Sequence, residues 1–482
     1  MFFSVYTLGC KLNQLETEAI TDSFCRAGFT FLPWGHVPGE HEPAEPSLLI
    51  INTCTVTSMA EQKARRVIRK ALREHPAACL IVTGCYAQME RAALAELDGA
   101  LTQRLFIVPG EKKDRILDLP GFIGNWFPGN GLCGEAISAS LPGLIASWLT
   151  SPESCSSTDG TFRFVPEKFA SHSRAFLKIQ DGCNSCCAYC RVRIARGKSR
   201  SLPAGEALKA LKSLEERGVA EAVLTGVNIS QYRNGGMGLF ELLDFLLKGT
   251  EMIRLRLSSL EPDLFLTKRK DRAFFHSGEY RVLSNHRLRP HFHLSLQSGS
   301  ARILSAMARS YTPDDVENIV SFLRSAREDP FLACDVITGF PGETEEEFSK
   351  TGELCERIGF AWIHAFPFSP RPDTAACNFP NKVSEKDAVK RVEQLTRYAR
   401  KSRRDYIKRW EGKEVEAVVE AGEGNSKDFV PAISENYLKL HITRGNACGT
   451  GTVPGAGALV RCRLFMMKLR QTLLMALMPG RN

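Results

Sequence analysis

Three stretches in the first hundred residues repeat one plan: an apolar, β-branched run that closes on a small residue and then a cysteine. They are "FFSVYTLGC" ending at Cys10, "LLIINTC" ending at Cys54 and "CLIVTGC" ending at Cys85. Each is followed by a segment with apolar positions at helical spacing, Leu15 to Arg26, Met59 to Arg73 and Gln88 to Leu97. Short apolar runs alternating with helical periods predict right-handed βαβ units and a parallel sheet. Ligands gather at the carboxyl edge of such a sheet, so the pattern brings three cysteines to one edge.

From about Pro120 to Ala170 the periodicity dissolves into "PGNGLCGEAISASLPG" and "SPESCSSTDGTF", which reads as an interdomain connection. Six further strand candidates follow, separated by helical stretches: "FLKIQ" from Phe176, "EAVLTGV" from Glu221, "IRLRLSS" from Ile253, "HFHLSL" from His291, "CDVITGF" from Cys334 and "WIHAFPF" from Trp362. Such β/α alternation predicts a parallel barrel with chemistry on the loops after the strands, and six strands rather than eight predict a partial one. Then "VKRVEQLTRYARKSRRDYIKRW", Val389 to Trp410, carries nine Lys or Arg against two acids around an apolar stripe at helical spacing, the pattern of a solvated helix docked on a core. From Lys413 the alternation in "KEVEAVVE" and "LVRCRL" predicts a small β-barrel, and the closing "FMMKLRQTLLMALMPGRN" reads as an amphipathic helix or a frayed end. The expected division is an α/β domain over 1–120, a linker over 121–168, a barrel over 169–400, a β-domain over 401–470 and a tail over 471–482.

Composition narrows the chemistry. At 482 residues with 43% apolar and 24% charged positions, the chain is an ordinary globular protein of several domains, which excludes the fibrous and disordered classes. No apolar run approaches the ~20 residues of a membrane span, and "MFFSVYTLGC" lacks a basic leader, so a cytoplasmic protein without a membrane partner is expected. In that compartment sixteen cysteines do not read as a disulfide scaffold. Clustered ones point to metal or iron-sulfur ligation, and scattered ones such as Cys25, Cys334 and Cys355 to small buried apolar residues. The net charge of +9 agrees with a polyanionic partner without requiring one.

The densest cluster is in "FLKIQDGCNSCCAYCRV", which packs Cys183, Cys186, Cys187 and Cys190 into eight residues after a strand. C-x3-C-x2-C would select Cys183, Cys187 and Cys190; C-x2-C-x3-C would select Cys186 in place of Cys187. Spacing alone leaves both open. A zinc knot using all four is hindered, because adjacent Cys186 and Cys187 cannot easily both turn onto one ion. A four-iron cluster is normally held by one thiolate per iron, so a set of three leaves one iron free to bind a small molecule.

"GCNSCCAYC" resembles the C-x3-C-x2-C loop of radical S-adenosylmethionine enzymes, with Tyr189 before the last cysteine. "TLGCKLNQLETE", "INTCTVT" and "VTGCYAQ" resemble the N-terminal domain of the methylthiotransferases. "ARGKSRS", "LTGVNIS", "RLRLSSLEP", "HFHLSLQSGS", "DVITGFPGETEEEF" and "FPFSPRPDT" resemble their radical domain, in order. The likeness runs from about Tyr6 to Thr374. It implies that Cys183, Cys187 and Cys190 hold a [4Fe-4S] cluster that binds S-adenosylmethionine, with Cys186 a bystander. It also implies that Cys10, Cys54 and Cys85 hold a second [4Fe-4S] cluster, whose open iron carries the sulfur to be inserted. "GCKLNQLETE" most resembles the members that modify N6-threonylcarbamoyladenosine beside the tRNA anticodon, with the isopentenyladenosine and ribosomal-aspartate members as rivals. The implied fold is the α/β domain, a partial (β/α)6 barrel and a C-terminal TRAM-like β-barrel, to which "SENYLKL", Ser434 to Leu440, adds a resemblance. The implied partners are tRNA and a reductant protein such as flavodoxin or ferredoxin. A non-catalytic iron-sulfur RNA-binding protein is the reading from another class.

Other positions have plainer explanations. Gly339 and Gly342 in "GFPGETEEEF" permit a tight turn, and Thr344 with Glu347 predicts a capping box. His291 and His293 share a strand face, as inward-pointing or core residues. Glu261 and Arg196 read first as members of ion pairs. Arg193 stands where the family usually has Pro, and Asp373 where Gly is common.

Overall fold

A computed structural model describes residues 1–35, 45–98, 103–126, 135–151, 160–169, 173–266, 277–421, 429–443, 455–466 and 473–477. Much of the Gly-rich "RGNACGTGTVPGAGALV" lies outside the described residues. The chain divides into two compact units. One is Met1–Ala170 with Asp181–Asn184 and Cys190–Lys198; the other is Ser171–Gln180, Ser185–Tyr189 and Ser199–Asn482.

In the first unit, strands β1 (Phe2–Thr7), β2 (Thr30–Phe31), β3 (Leu48–Thr53), β4 (Cys79–Gly84) and β5 (Leu105–Ile107) form a parallel sheet in the order β2-β1-β3-β4-β5. Every residue of β3 and β4 is buried, as befits a parallel sheet covered on both faces. Alternate side chains feed two cores. Ile50 and Ile81 pack with Ala19, Ile20 and Phe24 of α1 (Lys11–Arg26), and Leu49, Ile51, Leu80 and Val82 pack with Ala64, Ile68 and Ala71 of α2 (Ser58–Glu74). The stretch read as a linker, 121–168, departs from expectation. With α3 (Cys85–Met89) and α4 (Arg91–Ala95) following β4, the fifth and sixth helices are α5 (Leu119–Trp126) and α6 (Glu135–Thr150). Leu119, Ile123, Leu141, Ile145 and Trp148 complete the α1-side core. Their spacing of three and four was hidden by the Gly, Ser and Pro around it, including Pro142 inside α6.

In the second unit all six expected strands are present: Ala175–Lys178, Glu221–Thr225, Arg254–Leu257, His291–Gln297, Phe331–Thr338 and Trp362–Pro367. They form two parallel three-stranded ladders, joined by parallel bridges Leu255 to Leu288 and Leu260 to Leu294. This is the partial barrel. Gly359 at φ +64° ends the helix Glu345–Ile358 and turns the chain into the last strand.

The long helix Glu385–Trp410 is capped by the Ser384 hydroxyl, which accepts from the Asp387 amide at 3.1 Å. It buries Ala388, Leu395, Ala399, Tyr406, Ile407 and Trp410 and leaves most of its charges in solvent. Strands Glu414–Val419, Phe429–Ser434, Lys439–Thr443, Leu459–Met466 and Leu473–Leu477 then close a five-stranded barrel. The last strand corrects the expectation of a helix or frayed end: it pairs antiparallel with Leu459–Met466 and parallel with Lys439–Thr443. An unbroken apolar run such as "LLMAL" fits either periodicity, and two open strand edges decide for the strand.

A buried ion network ties this barrel to the amino ends of the parallel strands. Glu221 accepts from Arg256 Nε at 2.6 Å and from Arg289 Nε at 2.8 Å. Arg289 also reaches Glu416 at 2.9 Å, and Arg256 donates to the carbonyls of Ser434 and Glu435 at 3.0 and 3.1 Å. None of the described helices is long and apolar enough to cross a membrane.

Candidate functional site

The strands β1, β3 and β4 are neighbours, and their carboxyl ends are level: Thr7 pairs with Asn52, and Thr53 with Gly84. Cys10 therefore caps α1, Cys54 follows β3 and Cys85 opens α3 at the same sheet edge. The glycines before two of these cysteines are demanded by the approach of the strand ends. Gly9 has φ +111°, and a Cβ there would lie 2.8 Å from Cys54 Cβ and 3.1 Å from its Sγ. Gly84 has φ +100°, and its Cβ would stand 2.3 Å from the Thr53 carbonyl oxygen. Sidechain bonds lock the edge. Asn13 Nδ2 donates to the Leu8 and Thr53 carbonyls at 2.7 and 3.0 Å, and Thr53 Oγ1 accepts from the Ala87 amide at 3.2 Å.

The three thiols differ in setting. Cys10 is exposed, Cys85 half-buried and Cys54 buried, and burial pushes the Cys54 thiol up to about 11 despite a backbone hydrogen bond from Val56. Arg196 stands among them. Its Nε donates to Cys85 Sγ at 3.3 Å, and its Nη atoms reach Asn13 Oδ1 at 2.8 Å, Glu16 at 3.0 Å and Asp181 at 3.1 Å. Burial works against its charge, but Cys85, Glu16, Asp181 and Cys10 outweigh it and hold the guanidinium well above its ordinary value. Arg196 is thus a member of ion pairs, as expected, and also a donor to a candidate ligand.

In the cysteine loop, Gly182 has φ +71°, and a Cβ would fall 2.0 Å from the Lys198 carbonyl oxygen, while the Cys183 amide donates to the Gly197 carbonyl at 3.1 Å. The helix Val192–Arg196 follows Cys190, and Arg191 is buried against Glu90 at 3.1 Å and Glu61 at 3.6 Å. Among the four cysteines Cys186 alone is exposed; Cys183, Cys187 and Cys190 are half-buried. Within the second unit, Arg309 Nη1 donates to Cys187 Sγ at 3.0 Å and to Glu261 at 2.8 Å, and its Nε donates to Tyr311 Oη at 3.0 Å. Burial opposes that charge too, and Tyr311, Tyr189, Glu261 and Cys187 hold it raised. Glu261 also accepts from Ser185 at 3.4 Å. Nothing in the sequence marks Arg309 and Tyr311, where "ARSY" carries no pattern, and Glu261 stands out there without its partner.

Among the described residues no three His, Cys, Asp or Glu side chains stand close enough to hold a single metal ion. Cys10, Cys54 and Cys85 at one sheet edge, with the buried Arg196 beside Cys85, are a donor set of the kind that holds an iron-sulfur cluster, whose thiolate ligands need counter-charge.

The remaining sequence-singled residues have structural places. Gly339 at φ +71° would put a Cβ 2.5 Å from Ala388 Cβ, and its amide donates to Glu343, which is paired with Arg391 at 2.7 Å. Thr344 caps its helix by accepting from the Glu347 amide at 3.3 Å. The Glu347 carboxylate instead turns to Ser300 and Arg302, so only half of the expected box forms. His291 is buried against Tyr437, and His293 is paired with Asp335 at 2.9 Å. Asp373 adopts φ +62°, which accounts for Gly at that place in the family.

Residues 177–355 match the radical SAM superfamily, and residues 3–103 match the uncharacterized protein family UPF0004. The chain is 40% identical over 498 residues to the threonylcarbamoyladenosine tRNA methylthiotransferase MtaB of Treponema pallidum, covering 95% of this chain and 97% of that protein. It is 32% identical over 444 residues to the protein of the same name from Aquifex aeolicus, covering 90% and 97%. To the tRNA-2-methylthio-N(6)-dimethylallyladenosine synthase of Neorickettsia sennetsu it is 28% identical, covering 86% and 82%.

Proposed function

The chain belongs to the tRNA methylthiotransferases of the radical SAM superfamily, and from that premise we propose that it inserts a methylthio group at C2 of N6-threonylcarbamoyladenosine at position 37, beside the tRNA anticodon. The observation that carries the substrate is the match to threonylcarbamoyladenosine-named relatives along nearly the whole chain, closer than the match to the dimethylallyladenosine synthase.

Cys183, Cys187 and Cys190 would hold the [4Fe-4S] cluster that binds S-adenosylmethionine; Cys10, Cys54 and Cys85 would hold the second one. Bound there, these groups supply the 5′-deoxyadenosyl radical and the sulfur of the product. The protein's part is placement. Gly9 and Gly84 let the strand ends close on one another, and Asn13 ties the Cys10 turn to the end of β3. Arg196 sets a positive charge against Cys85 and Arg309 does the same against Cys187, so each of these candidate ligand sulfurs has a guanidinium as hydrogen-bond donor. The solvent exposure of Cys186 and the bond from Arg309 to Cys187 support the C-x3-C-x2-C choice. The exposed Arg400, Lys401 and Arg404 on the long helix support a polyanionic partner. Electrons would come from a reductant protein such as flavodoxin or ferredoxin, in the cytoplasm.

Mass analysis of tRNA nucleosides from cells with and without the gene tests the reading. It expects 2-methylthio-N6-threonylcarbamoyladenosine to vanish with the gene. Loss of the methylthiolated isopentenyladenosine instead would move the enzyme to the rival substrate, and loss of neither would overturn it.

A further inference from the structure

The last strand of the parallel barrel, Trp362–Pro367, alternates in an unusual way: Ile363 is buried, while Trp362 is half-buried and His364 and Phe366 are exposed. Strand register says which face these three occupy. Ala333 pairs with both His293 and Trp362, and Asp335 pairs with His364, so His293, Asp335, Trp362 and His364 share one face. Cys334, between Ala333 and Asp335, is fully buried and neighbours the equally buried Cys355 of the covering helix Glu345–Ile358. The shared face is therefore the one turned away from that helix.

On it the rings form a continuous series. The His293 and His364 rings stack with centroids 5.3 Å apart and an interplanar angle of 22°. Trp362 meets His364 edge-on at 5.8 Å, with its Nε1 donating to His364 Nδ1 at 3.3 Å. Arg403 of the long helix lies over the Trp362 ring at 5.2 Å. The His293 ring lies against the Asp335 carboxylate at 2.9 Å on the same face. Arg400, one helical turn from Arg403, is exposed. A set of rings on one sheet face, exposed at His364 and Phe366 and flanked by guanidinium, is what unpaired nucleic-acid bases stack upon, because every base has a π-face and every nucleotide a phosphate.

We propose that the face bearing His364 and Phe366, continued by Trp362 and Arg403, is a stacking surface for unpaired nucleotides of the tRNA anticodon loop. The proposal rests on the tRNA reading above and adds to it the residues that hold the loop. Core packing is the competing explanation of the rings; it accounts for Trp362, which also borders the C-terminal core, but not for the exposed His364 and Phe366.

The test measures binding of an anticodon stem-loop RNA, and of a duplex RNA of the same charge, by fluorescence anisotropy. His364→Ala and Phe366→Ala should each weaken stem-loop binding about 10-fold while leaving duplex binding and melting temperature unchanged. His364→Phe, which keeps a ring, should retain it. Wild-type protein that bound neither whole tRNA nor the stem-loop would sink the function reading and this one with it. Wild-type protein that bound the stem-loop, with both alanine variants equally tight, would overturn this inference alone.

Discussion

Replacing Glu221 by Gln should detach the C-terminal barrel from its support. Glu221 is fully buried and meets two guanidinium groups directly, with Arg174 at 3.6 Å as a third. Burial alone would raise its pKa, but Arg256, Arg289 and Arg174 overcome that and hold the carboxyl at about 2, from an ordinary 4.5. At about 1.4 kcal/mol per pH unit this difference is worth about 3 kcal/mol to the folded state. Because the folded pKa is depressed, the contribution is complete above 4.5 and is lost as pH falls toward 2. A neutral glutamine forfeits it at every pH, leaves Arg256 buried without its counter-charge and takes one carboxylate from Arg289, which keeps Glu416, a change that costs about 3–5 kcal/mol in comparable sites. Hydrogen exchange near pH 7 should show amides of Glu414–Val419 and Phe429–Ser434 losing more than about 100-fold of their protection. In urea unfolding the gap between wild type and variant should narrow as pH falls from 4.5 toward 2. Equal protection in the two proteins, or a gap that does not change with pH, would refute the reasoning.

Replacing Cys10, Cys54 and Cys85 with Ala should remove about half the reconstituted iron and all methylthio product while deoxyadenosine still forms, whereas Cys187→Ala should abolish deoxyadenosine and Cys186→Ala should not; the opposite pattern at 186 and 187, read by iron analysis and chromatography, would reverse the ligand choice. Arg196→Gln should lower the reduction potential of the cluster proposed on Cys10, Cys54 and Cys85 by about 60 mV, a tenfold shift for one electron, while Arg196→Lys keeps most of it; an unchanged potential in an EPR-monitored titration would reduce Arg196 to an ion-pair residue. Asp373→Gly should relieve the left-handed backbone at φ +62° and raise Tm by about 2 °C by calorimetry, and a lowered Tm would mean that the Asp373 side chain contributes more than its backbone costs.

What the sequence disclosed was what repeats or alternates. The three strand-end cysteines could be placed on one edge because each closes the same β-to-α unit, and β1, β3 and β4 are indeed neighbours. The six barrel strands were legible because buried parallel strands are short apolar runs with helices between them. Helices α5 and α6 were not, since a helix that completes a core needs only a narrow apolar stripe, and Pro142 obscured it. The Glu221 network was invisible for another reason: its partners lie 35, 68 and, through Arg289 to Glu416, 127 residues apart, and no local pattern announces a contact at such range. Arg196 showed its charge but not its direction, because the bond to Cys85 spans 111 residues.

The C-terminal barrel is closed by Leu473–Leu477, the last strand among the described residues, and this bears on how the barrel is made. Until Leu473–Leu477 is in place, Lys439–Thr443 and Leu459–Met466 each carry a free row of backbone donors and acceptors, the template on which a second chain can add itself. During synthesis the hazard lasts from the emergence of residue 466 until residue 477 pairs. Five residues thus act as a seal on the nascent protein, and a version of the chain cut before Leu473 would hold an open sheet where the whole chain holds a barrel.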